Sequence, residues 1–255
     1  MIQKLKTLFW YFKQPGGATL IKNLFLQKTL HSNKENTVAE SVSWCKERAL
    51  STSEAIEKLT GKAAPKNDIH NLFPEEFMYA EKMIKETPFS LGGAGNMQML
   101  YDCCEIFQAT KVLETGVAYG WSSLAILLSL HKRPGSKLVS TDMPYAKMGN
   151  ENVVGIVVPQ PLRTNWVLIP EADNTAIPKA LQILDSADVI HYDSDKSYLG
   201  RMHFYPVLYK LLRKGGLFIS DDLQDNVAFK DYCNLIKVDP VVISFDNKYI
   251  GLFIK

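Results

Sequence analysis

The stretch HYDSDKSY (191–198) sets Asp193 and Asp195 two residues apart, with Lys196 directly after, at the end of the hydrophobic run 187–190. At SDD (220–222), Asp221 and Asp222 close a second apolar run in the same manner. Carboxylates at the mouth of a buried strand are costly unless they are paired, hydrogen-bonded or bound to a cation. Asp142 ends a third run, and Glu171 and Asp173 follow a fourth. Such an acidic rim suits a hydroxyl-rich or cationic ligand and a divalent metal, and it suits a pyrophosphate poorly. The segment LETGVAYGWSS adds Glu114, Gly116, Gly120, Ser122 and Ser123. Glycines in a strand-to-helix turn let backbone approach a ligand closely.

These residues need a scaffold that gathers strand ends. Strand patterns at 111–115, 137–141, 166–170, 187–192 and 216–220 alternate with helical patterns at 122–130, 176–184, 199–213 and 226–236. Apolar strands alternating with helices predict a parallel sheet covered on both faces. PVVISFDNKYIGLFIK then breaks the rhythm with strands at 241–245 and 248–254 joined by Asp246 and Asn247, which predicts an antiparallel hairpin. An open α/β sheet binds ligands outside the carboxyl ends of its strands, where every acid named above falls.

Residues 1–89 read differently. Helical patterns at 2–12, 37–50, 53–59 and 74–85 are separated by joints such as HSNKEN and GKAAPKND. We expect a helical N-terminal extension over 1–89, forming a substrate lid or a dimer arm, and a ligand-binding α/β domain over 90–255. The acceptor of any chemistry would be selected by those helices and by the insert MPYAKMGNENVVGIVVPQPLRTN (143–165).

Composition narrows the function classes. The 255 residues are 46% hydrophobic and 22% charged, with a net charge of +2, which argues against a dedicated nucleic-acid binder. Cys45, Cys103, Cys104 and Cys233 have neither zinc spacing nor a disulfide-rich layout, and read as reduced thiols of a cytoplasmic protein. No stretch reaches the roughly 20 apolar residues of a membrane span. The start, MIQKLKTLFWYFKQPGG, lacks the apolar core and cleavage site of a signal peptide. LFWYF reads as a packed helix or dimer contact rather than a stable membrane anchor, with Lys4, Lys6 and Lys13 keeping an interfacial role open. A dinucleotide fingerprint is a poor match, because Ala118 and Trp121 stand where its second and third glycines belong.

VLETGVAYGWSSLAIL resembles the E-x-G-x-x-x-G motif of class I S-adenosylmethionine-dependent methyltransferases. HYDSDKSY and LLRKGGLFISDD resemble later motifs of the O-methyltransferase branch, nearest to the metal-dependent sugar enzymes of the macrocin and novobiocin type. Catechol and caffeoyl-CoA O-methyltransferases are more distantly similar. The resemblance covers about residues 90–255. It implies a Rossmann-like seven-stranded, mostly parallel sheet. It also implies S-adenosylmethionine as methyl donor, and a hydroxyl on a sugar or small natural product as acceptor. Carried over by residue, Gly116 and Gly120 would line the donor's amino-acid part with Glu114 and Ser122 nearby, Asp142 would take the ribose, and Asp173 would sit near the adenine. SLGGAGNMQML resembles the segment covering the methionine end. Asp193, Asp221 and Asp222 match the metal ligands, implying Mg²⁺ or a similar oxygen-seeking ion, with Asp193 also bordering the donor. Asp195 falls where the sugar enzymes place a general base; Lys196 or His191 could substitute. The rival expectations are a metal-independent methyltransferase and a donor-binding module without catalysis. Asp222 and Asp225 read alternatively as helix caps, and His191 as a satisfied core histidine.

Overall fold

The computed structural model describes residues 2–29, 34, 36–146 and 148–255. Most of the HSNKEN joint and Lys147 of the insert lie outside the described residues. The strands are β1 (Ala49–Leu50), β2 (Lys111–Thr115), β3 (Lys137–Thr141), β4 (Trp166–Ile169), β5 (Ala187–Tyr192), β6 (Leu212–Ser220), β7 (Val241–Phe245) and β8 (Lys248–Ile254). They form one eight-stranded sheet in the order β1-β7-β8-β6-β5-β2-β3-β4. Every pairing is parallel except those of β8 with β6 and β7. Asp246 and Asn247 both take positive φ, the conformation that a two-residue hairpin turn requires.

Alternation along the central strands builds two cores. Val112, Val189, Leu217 and Ile219 face one layer, with helices Met97–Ile106 and Trp121–Leu130. Leu113, Ile190, Tyr192 and Phe218 face the other, with helices Asp173–Ile183, Tyr198–Leu211 and Ala228–Ile236. Helix Trp121–Leu130 is buried from Ser123 to Leu130, because the sheet covers one side and Met97–Ile106 the other. This explains its unbroken apolar sequence.

The sheet has one strand more than expected. Ala49 and Leu50, read from sequence as the end of a helix, pair in parallel with Val242 and Ile243. Ser51 then starts the next helix, Thr52–Thr60, through a capping box with Glu54. The 1–89 segment thus completes a sheet edge. It also supplies helix Gly17–Thr29, which sequence periodicity missed, and which packs on helices Ile2–Lys13 and Tyr198–Leu211.

The strand order reverses between β2 and β5. A crevice at such a switch point is where open α/β sheets bind ligands. Loops after β2, β3, β5 and β6 meet there.

Candidate active site

A cavity of about 670 Å³ opens at this crevice, within the roughly 300–1,000 Å³ range of ligand sites. The turn after β2 forms its floor. Gly116 has φ +81°, and a Cβ there would lie 2.3 Å from the carbonyl oxygen of Asp193. Gly120 has φ +94°, and a Cβ would lie 2.8 Å from Cα of Gly155. Both positions therefore require glycine for conformation and for close approach. Ala118 also takes positive φ, and its N–H donates to Asp142 Oδ2 at 2.7 Å.

Of the residues expected to bind the donor, Gly116, Ser122, Asp142, Asp173 and Asp193 line this cavity. Gly92, Gly93 and Gly95 of SLGGAGNMQML line it as well. Glu114 does not: it is fully buried behind the wall, where its Oε2 accepts hydrogen bonds from Ser123 and from Ser140 at 2.6 Å. Gly120 supports the turn without lining the cavity. Burial raises the carboxyl groups of Asp142 and Asp173 to about 6, against backbone N–H donors to the first and the Ser194 hydroxyl to the second.

The second wall gathers His191, Asp193, Asp195, Lys196, Asp221 and Asp222. Asp195 lies against Gly200, where any Cβ would strike its carboxylate at 2.2 Å, and its Oδ1 accepts the Ser197 N–H at 3.0 Å. Lys196 Nζ is paired with Asp222 Oδ2 and lies 3.2 Å from Asp193 Oδ1. Burial would lower this ammonium, but Asp193 and Asp222 override it and hold the pKa above the usual lysine value. Burial would likewise raise Asp222, yet Lys196, Lys248 and Gln224 bring it down to about 2. Asp193 is raised to about 6 by burial and by the charge of Asp221.

His191 is not the satisfied core histidine expected from sequence. Both ring nitrogens are buried without a hydrogen-bond partner, 3.6 Å from Glu114 Oε1 on one side and from Asp221 Oδ2 on the other. Burial would favour the neutral ring, but the flanking carboxylates raise it to about 10. The two flanking carboxylates thus favour the protonated ring.

The expected metal set is not assembled. Among the described residues no group of three or more His, Cys, Asp or Glu converges on a common point. Asp222, at φ +53°, gives one oxygen to Lys196 and the other to Lys248 at 3.0 Å and Gln224 at 3.0 Å. Of the three expected ligands, Asp193 and Asp221 each keep a buried oxygen without a hydrogen-bond partner, and Asp222 does not. A donor set that spends its third carboxylate on two ammonium groups does not fit a divalent ion as it stands.

Sequence reasoning missed three contributors. Lys248 comes from the terminal hairpin, whose Phe245, Asp246 and Ile250 also line the cavity. Arg201 is fully buried and donates to the carbonyls of Asp221 and Asp222 at 3.0 and 2.9 Å, fixing the SDD loop. Tyr11, Leu20 and Asn23 reach the cavity from the N-terminal helices. Tyr198, unassigned from sequence, donates to Asp231 at 2.8 Å and ties two helices together. Neither Asp222 nor Asp225 caps the following helix; Asn226 Oδ1 accepts the Ala228 N–H at 3.2 Å instead.

Residues 113–223 match the family model of a methyltransferase domain. No curated protein matches the chain. Among solved structures, an O-methyltransferase from Bacillus cereus in complex with SAH aligns at TM-score 0.52 and 14% identity, covering 83% of this chain and 100% of that one. TomG from Streptomyces achromogenes, an O-methyltransferase of tomaymycin synthesis in complex with SAM, aligns at 0.51 and 14%, covering 82% and 98%. The SAH-bound methyltransferase PaMTH1 from Podospora anserina aligns at 0.51 and 12%, covering 85% and 95%. The chain has the fold of these O-methyltransferase structures, and the methyltransferase-domain model matches its residues 113–223.

Proposed function

We propose that this protein transfers the methyl group of S-adenosylmethionine to a hydroxyl of a sugar or other small natural product. One observation carries the reading: the glycine turn with Asp142 and Asp173, and the acidic wall with Asp195, open onto a single cavity. The similar structures bound to SAM or SAH support the donor. The cradle fits it, since Gly116 and Gly120 hold the turn that brings main chain to the cavity and two buried carboxyls stand ready for its hydroxyls and amines.

Bound there, the sulfonium supplies an activated methyl group for in-line displacement. The protein's part is chiefly to hold two reactants in register. Gly116, Ser122, Asp142 and Asp173 would fix the donor side. The acceptor hydroxyl must lose its proton as the new bond forms, which calls for a carboxylate within reach. Carboxylates beside Lys196 and His191 favour their protonated forms, so Asp195 is the base this arrangement favours over either of them. Lys196, on the same wall, would offset charge growing on the acceptor oxygen. The engagement of Asp222 by Lys196 and Lys248 favours a metal-independent reaction over the metal-assisted one.

Titration calorimetry with S-adenosylmethionine and S-adenosylhomocysteine, followed by radiolabelled methyl transfer to a panel of hydroxylated acceptors, tests this reading. Absence of binding to both sulfur compounds would sink it. Binding without turnover on any acceptor would leave a donor-binding module, and a requirement for Mg²⁺ that EDTA abolishes would restore the metal-assisted mechanism.

A further inference from the structure

The first 34 residues carry Lys4, Lys6, Lys13, Lys22, Lys28 and Lys34 and no acid before Glu35, leaving 23 Lys and Arg against 27 Asp and Glu in the remainder. They form two helices, Ile2–Lys13 and Gly17–Thr29, packed on each other. One side of this pair is occupied. Tyr11, Leu20 and Asn23 line the cavity, and the Gly16 carbonyl between the helices accepts from Asn174 Nδ2 at 3.1 Å. The other side faces out, with Leu8 48%, Phe9 60% and Phe12 63% exposed, and Phe25 of the second helix 66% exposed. Lys13 Nζ sits 4.6 Å above the Phe9 ring, so charge and apolar surface lie side by side.

Leu8, Phe9 and Phe12 fall on one helical face by their spacing of one and four residues. Large apolar groups on one face, lysines beside them and no acids are the pattern of helices that lie in a bilayer interface. We infer that this helix pair seats the protein on an anionic lipid surface, with the cavity mouth on the side of the docked helices. A second copy of the chain fits the face less well, because a two-fold contact would set Lys13 and Lys22 against their own counterparts. A nucleic acid also fits poorly: the first arginine is Arg48, and the exposed groups are aliphatic and phenyl rather than guanidinium. No helix among the described residues is long and apolar enough to cross a membrane, so the association is peripheral.

The experiment is co-sedimentation of the full chain with phosphatidylcholine vesicles and with vesicles containing phosphatidylglycerol, at low and high salt. Each lysine near an anionic surface strengthens binding roughly fivefold, and salt screens it. The expected result is binding to the anionic vesicles that weakens with salt. It should fall about tenfold or more in Phe9→Ser/Phe12→Ser and in Lys13→Gln/Lys22→Gln. The lysine pair is exposed, so its loss of binding is read on a folded protein, checked by an unchanged melting temperature and unchanged S-adenosylhomocysteine affinity. Failure to bind anionic vesicles, equal binding to neutral ones, or binding that survives both variants overturns the inference. So does self-association, or binding to an RNA homopolymer, that these variants abolish while vesicles are ignored.

Discussion

The two ends of strand β5 carry the same residue type in opposite states. At the amino end, Asp188 accepts from the Thr110 and Lys111 N–H groups at 2.7 and 2.9 Å and from Arg213 Nε at 2.5 Å. Burial would raise its carboxyl, but Arg213 and the Thr110 and Lys111 donors outweigh it and hold the group below the ordinary aspartate value. At the carboxyl end, Asp193 keeps one oxygen without a hydrogen-bond partner and is raised to about 6. Beside it, His191 is buried with neither nitrogen bonded. Asp188 is fully engaged by main-chain and arginine donors, whereas His191, Asp193 and Asp221 at the carboxyl end each keep a buried polar atom without a hydrogen-bond partner on the cavity side.

That contrast can be broken or sharpened by substitution. The largest effect is expected at Asp195. Asp195→Asn should lower kcat by about 10²–10⁴-fold, the usual worth of a general base, while S-adenosylhomocysteine affinity by calorimetry stays within a few-fold of wild type. Equal loss of kcat and binding would show that Asp195 holds the donor instead.

Asp188→Ala should do the reverse, costing about 2–4 kcal/mol in urea unfolding because four donors lose their acceptor, with S-adenosylhomocysteine affinity unchanged. The sign of the pH dependence follows from its lowered pKa: Asp188 contributes stability above the unfolded value near 3.8, and that contribution is lost as pH falls below it. Near-neutral unfolding of Asp188→Ala would erase the distinction between the two ends.

Asp193→Asn should stabilise the ligand-free protein by about 1–2 kcal/mol at pH 7, a figure discounted for its partial exposure. Its folded pKa near 6 lies above the unfolded 3.8, so the ionised form is strained in the folded state. The gain should therefore shrink as pH drops from about 6 to about 4, as followed by melting temperature. A loss of stability at pH 7 would mean that the Lys196 pairing outweighs burial. The smallest effect is expected from Lys248→Met, under about 1 kcal/mol, since this side chain is 61% exposed. It removes the charged partner of one Asp222 oxygen and leaves Gln224 on it, and stimulation by Mg²⁺ appearing only in this variant would show that the lysine stands in for a cation.

The glycine-turn side of the cavity was readable because it is local. Gly116 and Gly120 sit four residues apart in a turn between a strand and a helix, and positive φ at both is a backbone demand that few residues except glycine meet. Asp142 follows its strand directly and Asp173 opens the helix after the next strand, so the topology delivers them. The acidic wall was read as a list of acids without their partners. Lys248 meets Asp222 across 26 residues of sequence and Arg201 holds the SDD loop across 20, and no periodicity links such residues. Glu114 was misplaced for a related reason. Strand alternation puts it on the face of His191, and only the packed helix Trp121–Leu130, whose Ser123 donates to it, decides that Glu114 is shut off from the cavity while His191 is not.

By itself, the sequence determined the alternation of strands and helices, the terminal hairpin, the glycine turn and the order of acids along the rim. These rest on short-range rules: side-chain period, turn chemistry and φ freedom. Tertiary structure alone decided that Ala49 and Leu50 form an eighth strand, because a two-residue strand has no signal until β7 offers it an edge. It alone decided that Asp222 faces two ammonium groups, and that the lysine-rich helices close over the cavity with their phenylalanines outward. Ion pairs and exposed faces depend on which distant segments fold together, and that information is spread over the whole chain.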